Sequence, residues 1–257
     1  MQTDGGVAID IAGLRKQYDT TAVLRGIDLR IEPGEIMVIV GGSGEGKSVL
    51  LRHIAGLETP ESGSVRMNGM GLDDYLRLPP ESKPFRLSMV FQGSALLNSL
   101  SVAENVSLRL KEHGTHADGE IRKIVAMCLE QVDLAGTEHK LPSELSGGMR
   151  KRVAIARALA VEPQLILYDE PTADLDPLLT QQIGALIQRI QRTRGATQVV
   201  VAHNLALASE IGTHIAMLHD GRIVDYQPAT EFVRSTNTHT QEFLRAANLK
   251  FGGERQR

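Results

Sequence analysis

The sequence predicts an α/β fold with a mostly parallel sheet, an N-terminal antiparallel β subdomain and a helical subdomain. Short alternating or apolar runs fill the N-terminal part, which is typical of strands. Strand-like and helix-like segments alternate later in the chain, as they do in parallel sheets covered on both faces. The stretch from about 93 to 160 has helical spacing, so we expect a helical insert there.

Composition limits the class of protein. The 257 residues are 42% hydrophobic and 23% charged, which suits either one large globular domain or two small ones. The net charge of −3 gives no reason to expect nucleic acid as a partner. The only cysteine, Cys128, excludes an internal disulfide. No apolar run approaches the roughly 18 residues of a membrane helix, and no secretory signal is visible, so we do not expect the chain to cross a bilayer by itself.

The N-terminal half is predicted from local patterns. "VAIDIAGL" and "AVLRGIDLRIEPGEIMVIVGG" are strands separated by turns. "KSVLLRHIAGL" is a helix with Leu50, Leu51 and Ile54 on one face and Gly56 as its C-cap. "DGEIRKIVAMCLEQVDL" is an amphipathic helix of the insert, with Asp118 as its expected N-cap.

The C-terminal half returns to the α/β pattern. "QLILYDE" and "TQVVVAHN" are buried strands, with the helix "QQIGALIQRIQRTR" between them. "HIAMLHDGRIVDY" is a β-hairpin around Asp220-Gly221. The tail after about Thr236 is polar, and we expect its last residues to be mobile.

The stretch "GGSGEGKS", residues 41–48, matches the phosphate-binding P-loop pattern and lies between a strand and a helix. The sequence therefore predicts a P-loop NTPase core. Backbone N–H groups and the start of the helix would bind phosphate, Lys47 would reach the β- and γ-phosphates, and Ser48 would hold Mg²⁺. The nucleotide-binding residues expected here are Gly41, Gly42, Ser43, Gly44, Glu45, Gly46, Lys47, Ser48 and Val49.

Glu45 places a carboxylate inside this loop. A side chain turned inward would repel a triphosphate by about 4 kcal/mol at 4 Å and an effective dielectric of 20. We therefore expect Glu45 to point away, towards solvent or a partner subunit, with a small effect on ATP affinity.

Two acids follow the strand "QLILY". If this strand lies beside the P-loop strand, Asp169 joins the Mg²⁺ shell and Glu170 lies where water attacks the γ-phosphate. The alternative is a solvated acidic turn, which the P-loop upstream disfavours.

Three further side chains are weaker candidates. Gln92, in "MVFQGS", could sense Mg²⁺ and the attacking water where the helical insert begins. His203 ends a core strand and could contact the γ-phosphate or the attacking water, although a histidine at a strand end is often structural. Tyr18 could stack on adenine, or could simply pack.

The segment "LSGGMRKRVAIARALA" gives the class. With the P-loop, "LILYDEP", "ADLD" and the single residues Gln92 and His203, it resembles the ABC-type ATPases over about residues 9–225. The resemblance implies ATP and Mg²⁺ as cofactors, and a dimer in which each ATP lies between one P-loop and the partner's Ser146, Gly147 and Gly148, whose amides open a helix. It places Asp176 in the loop at the dimer interface. Met149 stands where the family usually has Gln, and a thioether donates no hydrogen bond.

Longer stretches are similar to one branch of that family. "GKSVLLRHIAGL", "FQGSALLNSLSVAENV" and the tail "ATEFVRSTNTHTQEFL" resemble the ATP-binding subunits that work with MCE-type proteins, including the Mla phospholipid system. The resemblance implies a membrane permease, an MCE-domain protein and a small regulatory subunit as partners. It also implies a peripheral location at the cytoplasmic face of the inner membrane. We expect an ATPase domain at 7–225 and a partner-docking extension at 226–257.

Other functions remain as alternatives. An ABC transporter for another solute would have the same ATPase chemistry. A nucleic-acid-associated ABC ATPase is disfavoured by a single P-loop and the absence of long heptad runs, and a GTPase by the lack of N-K-x-D. We expect the segment after Gln92 to receive the permease, although it could be plain helical core. Arg150, Lys151 and Arg152 could be a basic patch, but a solvated helix face is the preferred reading because three charges are few for nucleic-acid binding.

Overall fold

The computed structural model describes residues 5–114 and 116–252. The strands are β1 (Ile9–Tyr18), β2 (Thr21–Ile31), β3 (Ile36–Val40), β4 (Ser62–Met67), β5 (Met70–Gly71), β6 (Leu87–Val90), β7 (Leu165–Asp169), β8 (Thr197–Val201), β9 (His214–His219) and β10 (Arg222–Pro228). The helices are α1 (Lys47–Ile54), α2 (Leu72–Arg77), α3 (Val102–His113), α4 (Asp118–Gln131), α5 (Gly147–Leu159), α6 (Pro177–Arg194), α7 (Leu205–Ile211), α8 (Ala229–Phe232) and α9 (Thr238–Gly252).

Two sheets confirm the expected fold class. The smaller sheet is antiparallel, with the order β2-β1-β4-β5. The larger sheet has the order β10-β9-β3-β8-β7-β6, and its strands pair in parallel except for β9 and β10. The hairpin predicted at Asp220-Gly221 is confirmed as β9 and β10, with both turn residues at positive φ.

The expectation that the strand of Asp169 lies beside the P-loop strand is wrong. β8 lies between them, and Val200 is the register partner of both Val38 in β3 and Tyr168 in β7. The order of parallel strands depends on long crossover connections. Local periodicity does not record it, so the sequence pattern could not supply this neighbour.

The larger sheet is buried on both faces by two separate hydrophobic clusters. Every residue of β3 is buried, and successive side chains point to opposite faces. Val38 and Val40 join the cluster formed with the helical subdomain. Met37 and Ile39 join the cluster formed with α1 and the smaller sheet. This two-sided burial explains why the strand reads as a continuous apolar run.

The helical subdomain contains α3, α4 and α5. Ser101 and Glu104 form a capping box at the start of α3. Asp118 is the first residue of α4, and Ala117 occupies the N-cap position in its place, so the expected cap is off by one residue. An acid in the first turn still favours the helix through its dipole.

The solvated face expected for the three basic residues of α5 is confirmed only for Arg150, which is exposed. Lys151 is 7% exposed, and its ammonium donates to the backbone carbonyl of Gln92. Arg150 donates to the Leu145 carbonyl at 2.6 Å, and Arg152 donates to Gln182 Oε1 at 2.6 Å. The expectation was wrong for Lys151 and Arg152, because these two side chains find partners on other segments of the chain.

The chain continues past the hairpin into two helices. The boundary expected at residue 225 falls within β10. Phe232 of α8 is fully buried, and the polar tail forms α9, whose Phe243, Leu244 and Ala247 pack against the main cluster. The residues expected to be mobile at the end, 253–257, lie outside the described residues. Among the described helices, none has an apolar stretch long enough to span a membrane.

Candidate active site

The predicted catalytic groups follow the carboxyl ends of three strands of the larger sheet. The P-loop follows β3, Asp169 ends β7 with Glu170 directly after it, and His203 follows β8. Parallel strands end at the same edge of a sheet, which is where ligands bind in open α/β folds. The intervening strand β8 therefore adds His203 between the other two elements.

The P-loop wraps the start of α1. Gly46 precedes that helix with φ 96°, and a Cβ there would lie 2.9 Å from Val23 Cγ1, so both the conformation and the space require glycine. Lys47 is buried, and its Nζ donates to the carbonyls of Gly41 at 3.1 Å and Gly42 at 2.8 Å. Burial lowers the pKa of Lys47, while the nearby carboxylates, Glu170 first, oppose that shift. The ammonium is thus held at the loop, where phosphate oxygens can replace the two carbonyls.

Ser48 and Asp169 meet directly. Ser48 Oγ donates to Asp169 Oδ1 at 2.6 Å, although the residues are far apart in the sequence. Asp169 is only 8% exposed. A hydroxyl and a carboxylate together offer the hard oxygen ligands that Mg²⁺ takes from proteins, alongside water and substrate phosphates. This pair fits the predicted Mg²⁺ site.

Glu170 and His203 also meet. His203 Nδ1 lies 2.5 Å from Glu170 Oε2. The Glu170 side chain is 17% exposed, whereas that of His203 is 62% exposed. Glu170 has φ 45°, which is rare for a residue with a side chain, and its N–H donates to the Val201 carbonyl at 3.1 Å. Such strain is concentrated at functional sites, and here the bond to β8 helps to hold it.

Among the described residues, Gln92 and Tyr18 form no hydrogen bond with the Ser48–Asp169 or Glu170–His203 pairs. Gln92 is exposed, and its backbone carbonyl is held by Lys151. Tyr18 is 40% exposed, and its hydroxyl donates to Glu58, which also accepts from Arg52 Nε at 2.5 Å. Burial and the bond to Glu58 raise the pKa of Tyr18. The ring is accessible, so adenine stacking stays a prediction.

Glu45 points to the hairpin of its own chain. Its Oε1 lies 3.1 Å from His219 Nδ1, and its Oε2 accepts from the Asp220 N–H at 2.6 Å. The side chain is 22% exposed. Solvent or a partner subunit was the expected direction, so the structure replaces that expectation with an intramolecular contact.

The segment Ser146-Gly147-Gly148 begins α5 as predicted. Ser146 is the N-cap and accepts from the Met149 N–H at 3.3 Å. Gly147 and Gly148 form the first turn, and a Cβ on Gly148 would lie 3.2 Å from Leu179 Cδ2. Met149 packs against the core. The helix opens with backbone amides that can receive an anion.

Asp176 is the N-cap residue of α6. It caps α6 by accepting from the Leu179 N–H at 2.9 Å, and it is exposed. Its predicted position at a dimer interface stays a prediction.

Three contacts of the site loops were not predicted from the sequence: Lys151 with Gln92, and Glu45 with both His219 and Asp220. Each joins residues more than fifty positions apart. An acidic residue within a loop that binds phosphate was the available signal for Glu45.

The chain is similar to known ATP-binding proteins. The profile described as ABC transporter matches residues 24–173. The "probable ribonucleotide transport ATP-binding protein mkl" of Mycobacterium leprae is 36% identical over 95% of this chain and 70% of that protein. The chloroplastic protein "trigalactosyldiacylglycerol 3" of Arabidopsis thaliana is 36% identical over 95% of this chain and 75% of that protein. The "sulfate/thiosulfate import ATP-binding protein CysA" of Mycobacterium tuberculosis is 36% identical over 95% and 68%.

Solved structures give the same class. A dimeric, post-hydrolysis structure of the ATP-binding cassette MJ0796 bound to ADP and phosphate has a TM-score of 0.76 and 32% identity, covering 86% of this chain and 98% of that one. A second dimeric structure of this cassette has a TM-score of 0.77 and 33% identity over the same shares. These matches, with the P-loop, the Ser48–Asp169 pair and the Glu170–His203 pair, show that the chain belongs to the ABC transporter family as an ATP-hydrolysing, ATP-binding subunit.

Proposed function

We propose that this chain drives an ABC transporter for lipid, that two copies act as a dimer, and that Glu170 is the catalytic base. The observation that carries the catalytic part is the pair of contacts at the sheet edge, Ser48 with Asp169 and His203 with Glu170. One pair offers metal ligands and the other offers a base with an orienting partner. ATP hydrolysis needs both.

The proposed reaction assigns one task to each side chain. ATP phosphates bind the amides at the start of α1, and Lys47 exchanges the loop carbonyls for phosphate oxygens. A water oxygen attacks the γ-phosphorus as the bond to the ADP oxygen breaks, and Glu170 takes the proton of that water. His203 holds the Glu170 carboxylate through Nδ1 and contacts the γ-phosphate through its second ring nitrogen. Ser48 and Asp169 would hold Mg²⁺, with Gln92 as a further proposed ligand, and the ion would supply positive charge that stabilises the transferring phosphoryl group.

The dimer follows from the separate phosphate-binding elements. The P-loop begins α1, and the Ser146-Gly147-Gly148 turn begins α5, with backbone amides at both helix starts. In the proposed dimer the α5 turn of one copy faces the P-loop of the other, with Asp176 at the interface. The two MJ0796 structures are dimers, which supports this arrangement.

The loop after Gln92 is the proposed contact for a membrane permease. Phe91 and Leu97 are exposed there, at 38% and 46%. The loop is held from below by the fully buried Asn105, whose Nδ2 donates to the carbonyls of Leu97 and Leu100. A preformed apolar surface of this kind suits a partner helix. Attachment to the permease places the chain at the cytoplasmic face of the membrane, with no part for nucleic acid.

Lipid is the proposed cargo, and phospholipid its class. The support is the likeness of the P-loop helix, the segment after Gln92 and the tail to MCE-associated subunits, which also makes an MCE-domain protein and a small regulatory subunit the expected partners. One similar protein is named after a glycolipid, trigalactosyldiacylglycerol. Another is named for sulfate and thiosulfate import, and this favours a different solute as the second possibility.

The test is affinity purification of a Glu170→Gln variant from its native host in mild detergent with ATP. Loss of the base should stall the ATP-bound dimer and retain its partners for mass spectrometry. Glu210→Gln, an exposed change in α7, is the matched control and should not stall. A permease, an MCE-domain protein and phospholipid would support the proposal. A permease with a solute-binding protein would overturn the lipid assignment, and ribosomes or DNA without a membrane protein would overturn the transport function.

A further inference from the structure

We propose that Glu45 is a positioning residue for the nucleotide, and that the first turn of α9 controls it through His239 and His219. The proposal rests on ATP binding at the P-loop, as in the proposed function, and is independent of the cargo. In this proposal the C-terminal segment affects the nucleotide site through the contacts of His239 with His219 and of His219 with Glu45.

The P-loop and the hairpin turn are joined by two contacts of Glu45. Glu45 reaches His219 Nδ1 with one oxygen and the Asp220 N–H with the other, at 3.1 and 2.6 Å. A carboxylate held at both oxygens has a defined orientation. Because Glu45 precedes Gly46 and Lys47, this contact fixes the part of the loop that surrounds the phosphates.

The turn is itself fixed to the rest of the domain. Arg25 Nη1 contacts Asp220 Oδ2 at 2.7 Å, and the Arg25 N–H donates to the Gly221 carbonyl at 2.8 Å. The P-loop also touches β9 at its other end, since a Cβ on Gly41 would lie 2.3 Å from the Leu218 oxygen. Displacement of the turn would therefore move the loop.

The first turn of α9 contacts His219, next to this turn. The rings of His239 and His219 lie 4.3 Å apart, tilted by 32°. The neighbouring Thr240 is fully buried, and its hydroxyl donates to Asp225 Oδ2 at 2.7 Å. Asn237 caps the helix by accepting from the His239 N–H at 3.0 Å. The start of α9 is thus tied to β10, which places His239 on the histidine that binds Glu45.

The sign of the effect follows from charge. Held by His219 and Asp220, the Glu45 carboxylate is partly compensated and directed at the hairpin. If Glu45 is released from these partners, its carboxylate becomes an uncompensated negative charge beside the phosphate site. The P-loop then also loses its contact with the hairpin turn. Release should therefore weaken ATP binding, and displacement of α9 by a partner should do the same.

The first test compares Glu45→Ala with Glu45→Gln by ATP titration. Alanine removes both contacts together with the negative charge. The lost contacts should outweigh the removed repulsion, so the Kd for ATP should rise about threefold to tenfold, a net effect the size of about one hydrogen bond. Glutamine can still accept from the Asp220 N–H and donate to His219, so it should stay within about twofold of wild type. If charge repulsion alone mattered, both variants would bind ATP more tightly, and that result would overturn the proposal. An unchanged Kd in Glu45→Ala would overturn it as well.

The second test addresses α9. His239→Ala should raise the Kd for ATP in the wild-type background and leave it unchanged in the Glu45→Ala background, because the two act in series. His239→Phe keeps a stacking ring and should restore affinity, while the exposed Glu242→Ala is the matched control. Additive effects of His239→Ala and Glu45→Ala would refute the route through His219.

The reciprocal effect is measurable on the same protein. If α9 favours ATP binding, ATP must stabilise α9 to the same extent. Amide hydrogen exchange over 238–247 should slow when ATP is added to wild type and should respond less in Glu45→Ala. A wild type that fails to bind ATP would refute the proposed function. A wild type that binds ATP with unchanged exchange in α9 would refute only the coupling.

Discussion

Arg157 of α5 holds the loop after Gln92 in an unfavourable backbone conformation. Its Nη1 donates to the Ala95 carbonyl at 2.6 Å and its Nη2 to the Ser94 carbonyl at 2.8 Å. Ser94 and Ala95 have φ values of 63° and 47°, in the left-handed region that side chains disfavour. We predict that Arg157→Met destabilises the protein and lets this loop relax.

The magnitude follows from two opposing contributions. Two hydrogen bonds from a charged donor contribute about 3 to 6 kcal/mol, at roughly 1.5 to 3 kcal/mol each. Two residues in the left-handed region cost about 2 to 4 kcal/mol, at roughly 1 to 2 kcal/mol each. Methionine loses the bonds, but the relaxed loop recovers the strain, so the free energy of unfolding should fall by about 1 to 2 kcal/mol. For a chain of this size the melting temperature should fall by about 2 to 8 °C.

Urea denaturation followed by circular dichroism measures this change. Arg157→Lys keeps a charge but not the two-pronged donor, so it should lose about half as much. Arg245→Met, an exposed substitution in α9, is the matched control. Ala95→Gly relieves strain and should help wild type more than it helps Arg157→Met. A loss below about 0.5 kcal/mol, or one equal to the Arg245 control, would refute the reasoning.

Two further predictions concern buried groups. Lys151→Met replaces a buried ammonium with an apolar chain of similar size, so the free energy of unfolding should change by less than about 1 kcal/mol. Because this variant releases the Gln92 carbonyl, it should still lower kcat for ATP hydrolysis with little change in KM. An unchanged kcat in steady-state assays would contradict this prediction. Burial raises the pKa of Cys128 to about 11, so the native thiol should react with an aromatic disulfide reagent at pH 8 about 100-fold more slowly than in denaturant. Because the folded pKa exceeds the unfolded one, this thiol favours the native state below about pH 9, and that contribution should be lost as the pH rises towards 11.

Local patterns predicted the elements whose partners are near in sequence. The Asp220-Gly221 hairpin and the strand-loop-helix of the P-loop required only neighbours, and both were found. The order of strands required long-range pairing, and β8 was missed as the neighbour of β3. The predicted site residues still meet despite this error, because Asp169 reaches Ser48 across the sheet edge.

The helix α9 was not predicted because the tail has few apolar residues with helical spacing. Its apolar contacts with the core come from Phe243, Leu244 and Ala247, a narrow stripe among polar residues. Asn237 is a good N-cap residue and was the available signal for the start of α9. A partner-docking role for 226–257 remains a proposal, and the packing of α9 shows what a partner would have to displace.

Lys151 and Glu45 are misjudged for one physical reason. A charged side chain predicts a solvent-facing position, because burial without a partner is costly. Each of these finds a backbone group as its partner, the Gln92 carbonyl for Lys151 and the Asp220 N–H for Glu45. Such partners leave no trace in side-chain patterns. They appear only when the fold brings distant backbone segments together.

The two contacts act on different loops of the same site. Lys151 ties the Gln92 loop to α5, the helix whose start is proposed to face the partner's ATP. Glu45 ties the P-loop to the hairpin turn beside the first turn of α9. The proposed base Glu170 depends on neither, because His203 and the Val201 carbonyl at the end of β8 hold it. Movement of α5 or α9 would therefore shift the loops that hold the nucleotide while the base stays in place, so the regions proposed for partner contact can regulate ATP binding separately from the chemistry of hydrolysis.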